Sequence, residues 1–184
     1  MRLETERLVL RPFHLADVPA VLAIQSDWSV TRNLRLADWP PTSGSITAFL
    51  AGHEAERQAG TAHRFAVTES GRVIGCADLD EIAGGCGELG YWLERAAWGR
   101  GLATEAAAAL VAFARDFGLV RLATGHAADN PASGKVLAKL GFRHRDDVVR
   151  WSKPRDHWIV QRRYQLTFQG VLDHRDQPGD ILRP

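Results

Sequence analysis

A short apolar strand, a glycine-rich turn and a long alanine-rich helix follow one another within residues 88–117, and this order constrains the fold more than any other feature. The turn contains Gly99 and Gly101, which are separated by one residue. Two such glycines let the backbone pass close to a bulky anion, and the first turn of a helix offers unpaired N–H groups and a positive dipole end. The sequence therefore predicts a phosphate-binding loop at residues 98–104, called the phosphate loop below.

The helix that follows has one apolar face, which predicts that it packs on a core. The residues at helical spacing are Leu102, Ala106, Leu110, Phe113, Ala114 and Phe117. On the residues alone, a plain glycine turn between a strand and a core helix stays open as an alternative.

Two familiar phosphate loops do not fit these residues. A mononucleotide P-loop needs Lys and then Ser or Thr after its last glycine, whereas Gly101 is followed by Leu102 and Ala103. A dinucleotide fingerprint needs a third glycine, and Thr104 stands in its place. The loop therefore belongs to neither class.

The phosphate loop resembles the pyrophosphate loop of the GCN5-related N-acetyltransferases (GNAT superfamily). The order aromatic, Gly, basic, Gly, aliphatic, Ala, Thr, Glu, Ala from Trp98 is similar to the RimJ/RimL-like, ribosomal-protein-alanine acetyltransferase branch. Trp98 departs from the family pattern, which has Arg or Gln there. A second match lies far away, at Thr-Glu-Arg-Leu-Val-Leu-Arg-Pro in residues 5–12. The resemblance covers residues 1 to about 168.

The resemblance and the pattern of predicted elements together give the fold class. We expect an α/β (α+β) protein with the single-domain acyl-CoA N-acyltransferase fold, a mixed and mostly antiparallel sheet of about seven strands, and helices on both faces. The predicted elements include a first strand at 3–11, one helix at 45–58, a loop at 27–45, a sixth strand that opens at Phe142, and the last strands at 147–152 and 158–167. Residues 1–168 would form the domain and residues 169–184 a polar C-terminal tail.

The resemblance implies acetyl-CoA as the cofactor, with CoA as product, and no metal. The pyrophosphate would be held by Trp98, Gly99, Arg100, Gly101, Leu102, Ala103 and Thr104. The backbone of Tyr91, Trp92 and Leu93 would pair with the pantetheine arm, and Asn130 would position that arm. Without the family, Asn130 before Pro131 is explained equally well as a helix N-cap.

Three residues are candidates for the chemistry of acetyl transfer. Many relatives place a proton-donating Tyr seven residues after the Asn, but Leu137 stands there, so the role moves to Ser133 or to water. Glu88, just before the pantetheine-binding stretch, and His126, at the end of the fifth strand, are candidate bases for the amine. On the residues alone, it stays open that Glu88 is only a solvated surface residue and His126 only a loop residue, with no part in catalysis. We expect direct transfer without a covalent enzyme intermediate.

The predicted function is transfer of an acetyl group from acetyl-CoA to a primary amine, either a protein N-terminus or a small molecule. The alternative is a non-catalytic acyl-CoA-binding or regulatory domain of the same fold. The resemblance implies that Trp28, Trp39 and residues 153–156 approach the acceptor, whereas on the residues alone the two tryptophans are more simply explained as anchors that pack their loop onto the core.

Composition bounds the partners and the compartment. A net charge of +1 gives no electrostatic reason to expect nucleic acid or a membrane surface as partner. Two cysteines without metal-ligand spacing, and the lack of a long apolar run, predict a cytoplasmic protein. A homodimer is left open.

Overall fold

An eight-stranded sheet with the strand order β1-β2-β3-β4-β5-β6-β8-β7 forms the centre of the structure. The structure is a computed structural model that describes residues 1–168. The strands are β1 (Leu3–Glu4), β2 (Val9–Pro12), β3 (His63–Glu69), β4 (Arg72–Ala83), β5 (Cys86–Leu93), β6 (Arg121–Ala127), β7 (Arg143–Ser152) and β8 (His157–Thr167). Every neighbouring pair is antiparallel except β5 and β6, which are parallel. The predicted tail, residues 169–184, lies outside the described residues.

Six α-helices and two short 3-10 turns complete residues 1–168. The helices are α1 (Val18–Gln25), α2 (Trp28–Thr31), α3 (Ser43–Ala51), α4 (His53–Ala59), α5 (Leu102–Asp116) and α6 (Pro131–Lys139). Residues of α5 and α6 share a core cluster with Phe65 and Val67 of β3, whereas α1 and Ala66 of β3 belong to a different cluster. Since neighbouring strand residues point to opposite faces, helices cover both faces of the sheet, which confirms the predicted fold class. None of these helices is both long and apolar enough to cross a membrane.

Four element boundaries differ from those that the sequence predicted. The first strand is two strands, because Thr5 N–H donates to the carbonyl of Leu8 (2.9 Å) and closes a turn. The helix at 45–58 is two helices that meet at Gly52, a residue of low helix propensity. The loop at 27–45 contains α2. β7 runs without a break from Arg143 to Ser152. Its register with β8 shifts between His144 and Asp146, but the strand continues past this irregularity.

The gap between β5 and β6 positions the site. These strands pair only where Cys86 to Glu88 meet Arg121 to Ala123, although both continue further. The Thr124 hydroxyl donates to the carbonyl of Leu89 (2.7 Å), just beyond the last paired residue. From there the carboxyl-terminal halves of β5 and β6 separate, and a gap opens between them.

Candidate active site

The phosphate loop presents bare backbone at the start of α5. Gly99 and Gly101 have φ values of 73° and 80°, which residues with a side chain rarely adopt. A Cβ built on Gly99 would meet nothing within 4 Å, so the backbone here faces open space. Gly101 is the N-cap of α5 and contributes no side chain to the free N–H groups of the first turn. Those groups are therefore available to an anion.

Two side chains of the phosphate loop anchor it to the sheet. The Trp98 indole Nε1–H donates to the carbonyl of Leu93 at the end of β5 (2.8 Å). The guanidinium of Arg100 forms two hydrogen bonds to the Glu69 carboxylate at the β3–β4 turn (2.6 and 2.9 Å). Trp98, which stands where the family pattern has Arg or Gln, therefore ties the loop to the strand before it.

A second anchor, which we call the N-terminal clamp, consists of Thr5, Arg7 and Glu105. The Glu105 carboxylate accepts from the Thr5 hydroxyl (2.6 Å), the Arg7 N–H (2.9 Å) and the Arg7 Nε–H (2.7 Å). Arg7 also donates to the carbonyl of Arg100 in the phosphate loop (2.9 Å). Burial opposes ionisation of Glu105, but the bonds from Thr5 and Arg7 outweigh it and lower the pKa. The clamp gives a structural reason for the second sequence match, at residues 5–12.

A cavity of about 540 Å³ lies between the separated strands and brings most predicted residues together. Those that line it are Tyr91, Trp92, Leu93, Trp98, Gly99, Gly101, Leu102, Ala103, Thr104, His126, Asn130 and Ser133. Arg100 and Glu88 are not among its lining residues. Residues of α2 and the chain after it close the other side, among them Ser29, Asn33 and Leu34. A larger hollow of about 890 Å³ beside Phe168 contains none of the predicted residues.

At the start of α6, a serine and a tyrosine hydroxyl are paired. Asn130 is the N-cap and its side-chain oxygen accepts from the Ser133 N–H (3.4 Å), as the sequence predicted. The Ser133 hydroxyl lies 2.8 Å from the hydroxyl of Tyr91 on β5. Burial raises the pKa of Tyr91 to about 12, against a lowering by the hydrogen bond with Ser133. Tyr91 is thus a protonated partner of Ser133 at neutral pH, a role that the sequence did not indicate.

His126 is buried and both of its ring nitrogens have partners. Nδ1 lies 2.8 Å from the carbonyl of Ala127, and Nε2 lies 3.3 Å from the hydroxyl of Tyr164. Because a carbonyl only accepts, Nδ1 carries a proton. A Cβ on Gly134 would come within 2.8 Å of Nε2, so α6 packs directly against the imidazole.

Glu88 occupies the last paired position of β5, next to the gap. Its side chain is exposed and, by strand alternation, points to the sheet face opposite that of Tyr91. Neighbouring protein atoms still displace part of its hydration, which together with the charge of Glu81 raises the pKa of Glu88, while Arg35 opposes the rise.

The two loops expected beside the acceptor are joined to each other. Arg155 donates to both Asp129 carboxylate oxygens (2.8 and 3.0 Å) and to the carbonyl of Arg32 (2.7 Å). Trp28 and Trp39 lie with ring centroids 4.8 Å apart, and both are partly exposed. The β7–β8 turn and the segment after α1 thus form one wall beside the cavity.

Comparisons with known proteins agree with this geometry. The model of the acetyltransferase (GNAT) domain family matches residues 7–143. The uncharacterized N-acetyltransferase p20 of Bacillus licheniformis is 31% identical over 145 residues, covering 76% of this chain and 81% of that protein.

Solved structures share the fold at low sequence identity. The ribosomal L7/L12 alpha-N-protein acetyltransferase RimL in complex with coenzyme A has a TM-score of 0.82 at 19% identity, covering 93% of this chain and 100% of that chain. Mycobacterium smegmatis RimJ in complex with CoA-disulfide has a TM-score of 0.79 at 22% identity, covering 87% of this chain and 81% of that chain. The chain therefore belongs to the GNAT family and is an acetyl-CoA-dependent acetyltransferase.

Proposed function

We propose that this protein transfers the acetyl group of acetyl-CoA directly to a primary amine, either a protein N-terminus or a small molecule. One observation carries the proposal: the bare backbone at the start of α5 and the Tyr91–Ser133 hydroxyl pair line the same cavity. An anion site and a proton donor in one cavity suit a long acyl carrier with a phosphate at one end.

The residues present fit acetyl-CoA, which would supply an activated acyl thioester. The free N–H groups of Leu102, Ala103 and Thr104 would hold the pyrophosphate, supported by Gly99 and Gly101. The β5 backbone at residues 91–93, which does not pair with β6, would pair with the pantetheine arm. Asn130 would place the start of α6 against that arm.

Ser133 would donate a proton to the departing thiolate, and Tyr91 would return one to Ser133. Their hydroxyl oxygens are within hydrogen-bond distance, and the raised pKa of Tyr91 keeps its proton available at neutral pH. His126 would hold α6 in position by packing against Gly134, since Ala127 and Tyr164 occupy both of its ring nitrogens. Glu88 would relay a proton from the amine through water on the other face of the sheet.

The RimJ/RimL-like resemblance favours a protein N-terminus as acceptor, because RimL is named as acting on the α-amino group of ribosomal L7/L12. A small-molecule amine fits the same chemistry. The cytoplasmic location and the homodimer stay predictions.

A paired assay tests the proposal. Acetyl-CoA should raise the melting temperature of the full chain, and adding an amine should release free CoA thiol. Stabilisation without thiol release, across a panel of peptides and small amines, would favour the non-catalytic acyl-CoA-binding domain. No stabilisation at all would contradict both.

A further inference from the structure

Two polar side chains lie over glycines that border the gap between β5 and β6. They are on the sheet face opposite Tyr91 and Ser133. On β4, Asp78 pairs with Gly90 of β5, and a Cβ on Gly90 would lie only 2.2 Å from Asp78 Oδ1. On β6, a Cβ on Gly125 would lie 2.9 Å from Nε2 of Gln161. The carboxylate and the carboxamide therefore occupy the space that two side chains would otherwise fill.

These two glycines stand across the gap from each other. The last paired residues are Glu88 and Ala123, so Gly90 and Gly125, each two positions further along, would be opposite if the pairing continued. Strand alternation puts both on the face of Glu88. Gly125 lines the cavity. Asp78 and Gln161 thus lie over the two strands that border the gap, one on each side.

The hydrogen-bonding capacity of both side chains is largely unused. Asp78 Oδ2 accepts from the thiol of Cys76 (3.3 Å). Within residues 1–168, no side chain or backbone group donates to Asp78 Oδ1, and the Gln161 carboxamide has no hydrogen bond. A carboxylate and a carboxamide held in this way can still bind a ligand.

The charges around Asp78 favour a cation. Asp80 on β4 and Glu88 on β5 face the same way, and on β3 the guanidinium of Arg64 is engaged by Asp80 (2.9 Å) and Glu56. α1, which packs on β4, has no titratable side chain. Of the charges that act on Asp78, those of Asp80 and Glu88 are negative and that of Arg64 is positive, while Arg35 and Arg150 act on Glu88.

Resting on the proposed function, we propose that Asp78 and Gln161 form the acceptor subsite for a primary ammonium that carries an adjacent hydrogen-bonding group. Asp78 binds the ammonium and takes its first proton, so that the free amine can attack. Gln161 holds the neighbouring group, such as the first carbonyl of a peptide. The site admits an amine from the face opposite the proton donor.

The proton count closes. The amine nitrogen forms the C–N bond as the C–S bond breaks, and the electron pair leaves on sulfur, which takes a proton from Ser133. Of the two protons that the nitrogen loses, one replaces the proton that Ser133 gave to sulfur. The other passes to Asp78 and then, through water and Glu88, to solvent.

The pKa of Asp78 suits this role. Burial raises it to about 7 and the charge of Asp80 adds to the rise, while Cys76 and Arg64 oppose it. A base with a pKa near the working pH is efficient in proton transfer.

Four variants of the full chain test the subsite. Asp78→Asn should lower kcat/KM for the amine by about a hundredfold or more and remove the acid limb of the pH profile. Its matched control, Asp80→Asn, should keep activity and move that limb to lower pH, because a repelling charge is removed. Gln161→Ala should raise KM for a peptide amine about tenfold with kcat little changed, and its control Gln165→Ala should change neither.

Two further readouts separate this subsite from the proposed function. Calorimetry should give the same affinity for acetyl-CoA in all five proteins, within about twofold. A carbon-13 titration of the carboxylates should show a midpoint near neutral pH that is missing in Asp78→Asn.

Unchanged amine kinetics in Asp78→Asn, or a parallel loss of acetyl-CoA affinity, overturns the subsite while leaving acetyl transfer intact. A wild-type chain that binds acetyl-CoA but acetylates no amine overturns both.

Discussion

Removing the Glu105 carboxylate should both destabilise the protein and weaken acetyl-CoA binding, because the N-terminal clamp joins the first residues to the phosphate loop. Glu105 accepts three hydrogen bonds from Thr5 and Arg7, and Arg7 holds the carbonyl of Arg100. Without the carboxylate, the Arg7 N–H loses its acceptor and the Thr5 hydroxyl keeps only the longer bond to the carbonyl of Leu8 (3.2 Å).

The size of the effect follows from exposure. The Glu105 side chain is 16% exposed but that of Arg7 is 42% exposed, so solvent screens their ion pair. A hydrogen bond to a charged group contributes about 1.5–3 kcal/mol when shielded, and an exposed ion pair about 0–1 kcal/mol. We expect Glu105→Ala to lower the free energy of unfolding by about 2–3 kcal/mol, or the melting temperature by roughly 5–10 °C.

Calorimetric melting and acetyl-CoA titration of the same variants measure both effects. Glu105→Gln keeps an oxygen for Thr5 and should lose only about 1 kcal/mol. Glu54→Ala, which breaks an exposed pair with Arg57 on α4, is the matched control and should leave the stability nearly unchanged. Acetyl-CoA affinity should fall roughly fivefold in Glu105→Ala alone, a difference of about 1 kcal/mol.

The pH dependence has a definite sign. The pKa of Glu105 is lowered from 4.5 in the folded protein, so its stabilisation is full above that value and is lost as the pH falls through the folded pKa. The difference in free energy of unfolding between wild type and Glu105→Ala should therefore become small at acid pH. Equal stability of Glu105→Ala and Glu54→Ala at neutral pH would refute the clamp, and lost stability with unchanged acetyl-CoA affinity would limit it to the fold.

Four further outcomes are expected. Gly101→Val should weaken acetyl-CoA binding more than about tenfold in calorimetry, with about 1–3 kcal/mol of backbone strain because φ is 80°; unchanged affinity would remove the phosphate-loop assignment. Ser133→Ala should lower kcat by about ten- to a thousandfold with little change in KM for acetyl-CoA, and a change below about threefold would assign the proton to water. Trp39→Ala, at a ring that is 41% exposed, should cost about 1 kcal/mol and alter only the amine constants, whereas a loss of about 3 kcal/mol would mean that Trp39 is a packing residue. The pKa of Asp78 is raised to about 7 in the folded protein, so the favourable contribution of its protonated form to the free energy of unfolding is lost as the pH rises through that value. Between about pH 5 and about pH 8, urea melts should therefore show that the wild type loses roughly 2 kcal/mol more of its free energy of unfolding than Asp78→Asn does.

The phosphate loop and the start of α6 were predictable because their signals are local. Gly99 and Gly101 require backbone that only glycine adopts easily, and Asn130 before Pro131 is a strong N-cap signal. The parallel pairing of β5 and β6 also follows from a strand-helix-strand order.

The contacts between distant residues were not predictable from spacing. Glu105 reaches Thr5 across 100 positions, and Tyr91 reaches Ser133 across 42. Asp78 over Gly90 depends on the register of β4 and β5, which a pattern of apolar residues does not specify to the residue. The break between β1 and β2 was likewise missed. Thr5 and Leu8 close a turn there through one backbone and one side-chain hydrogen bond, and the alternation of apolar and polar residues does not indicate it.

The most direct test of acetyl transfer is to incubate the full chain with acetyl-CoA and a panel of peptides and small amines, measuring thiol release and product mass together. Amine-dependent release of CoA, with an equal amount of product that is heavier by one acetyl group, is the predicted result. Acetyl-CoA binding that no amine converts into thiol and acetylated product would contradict it.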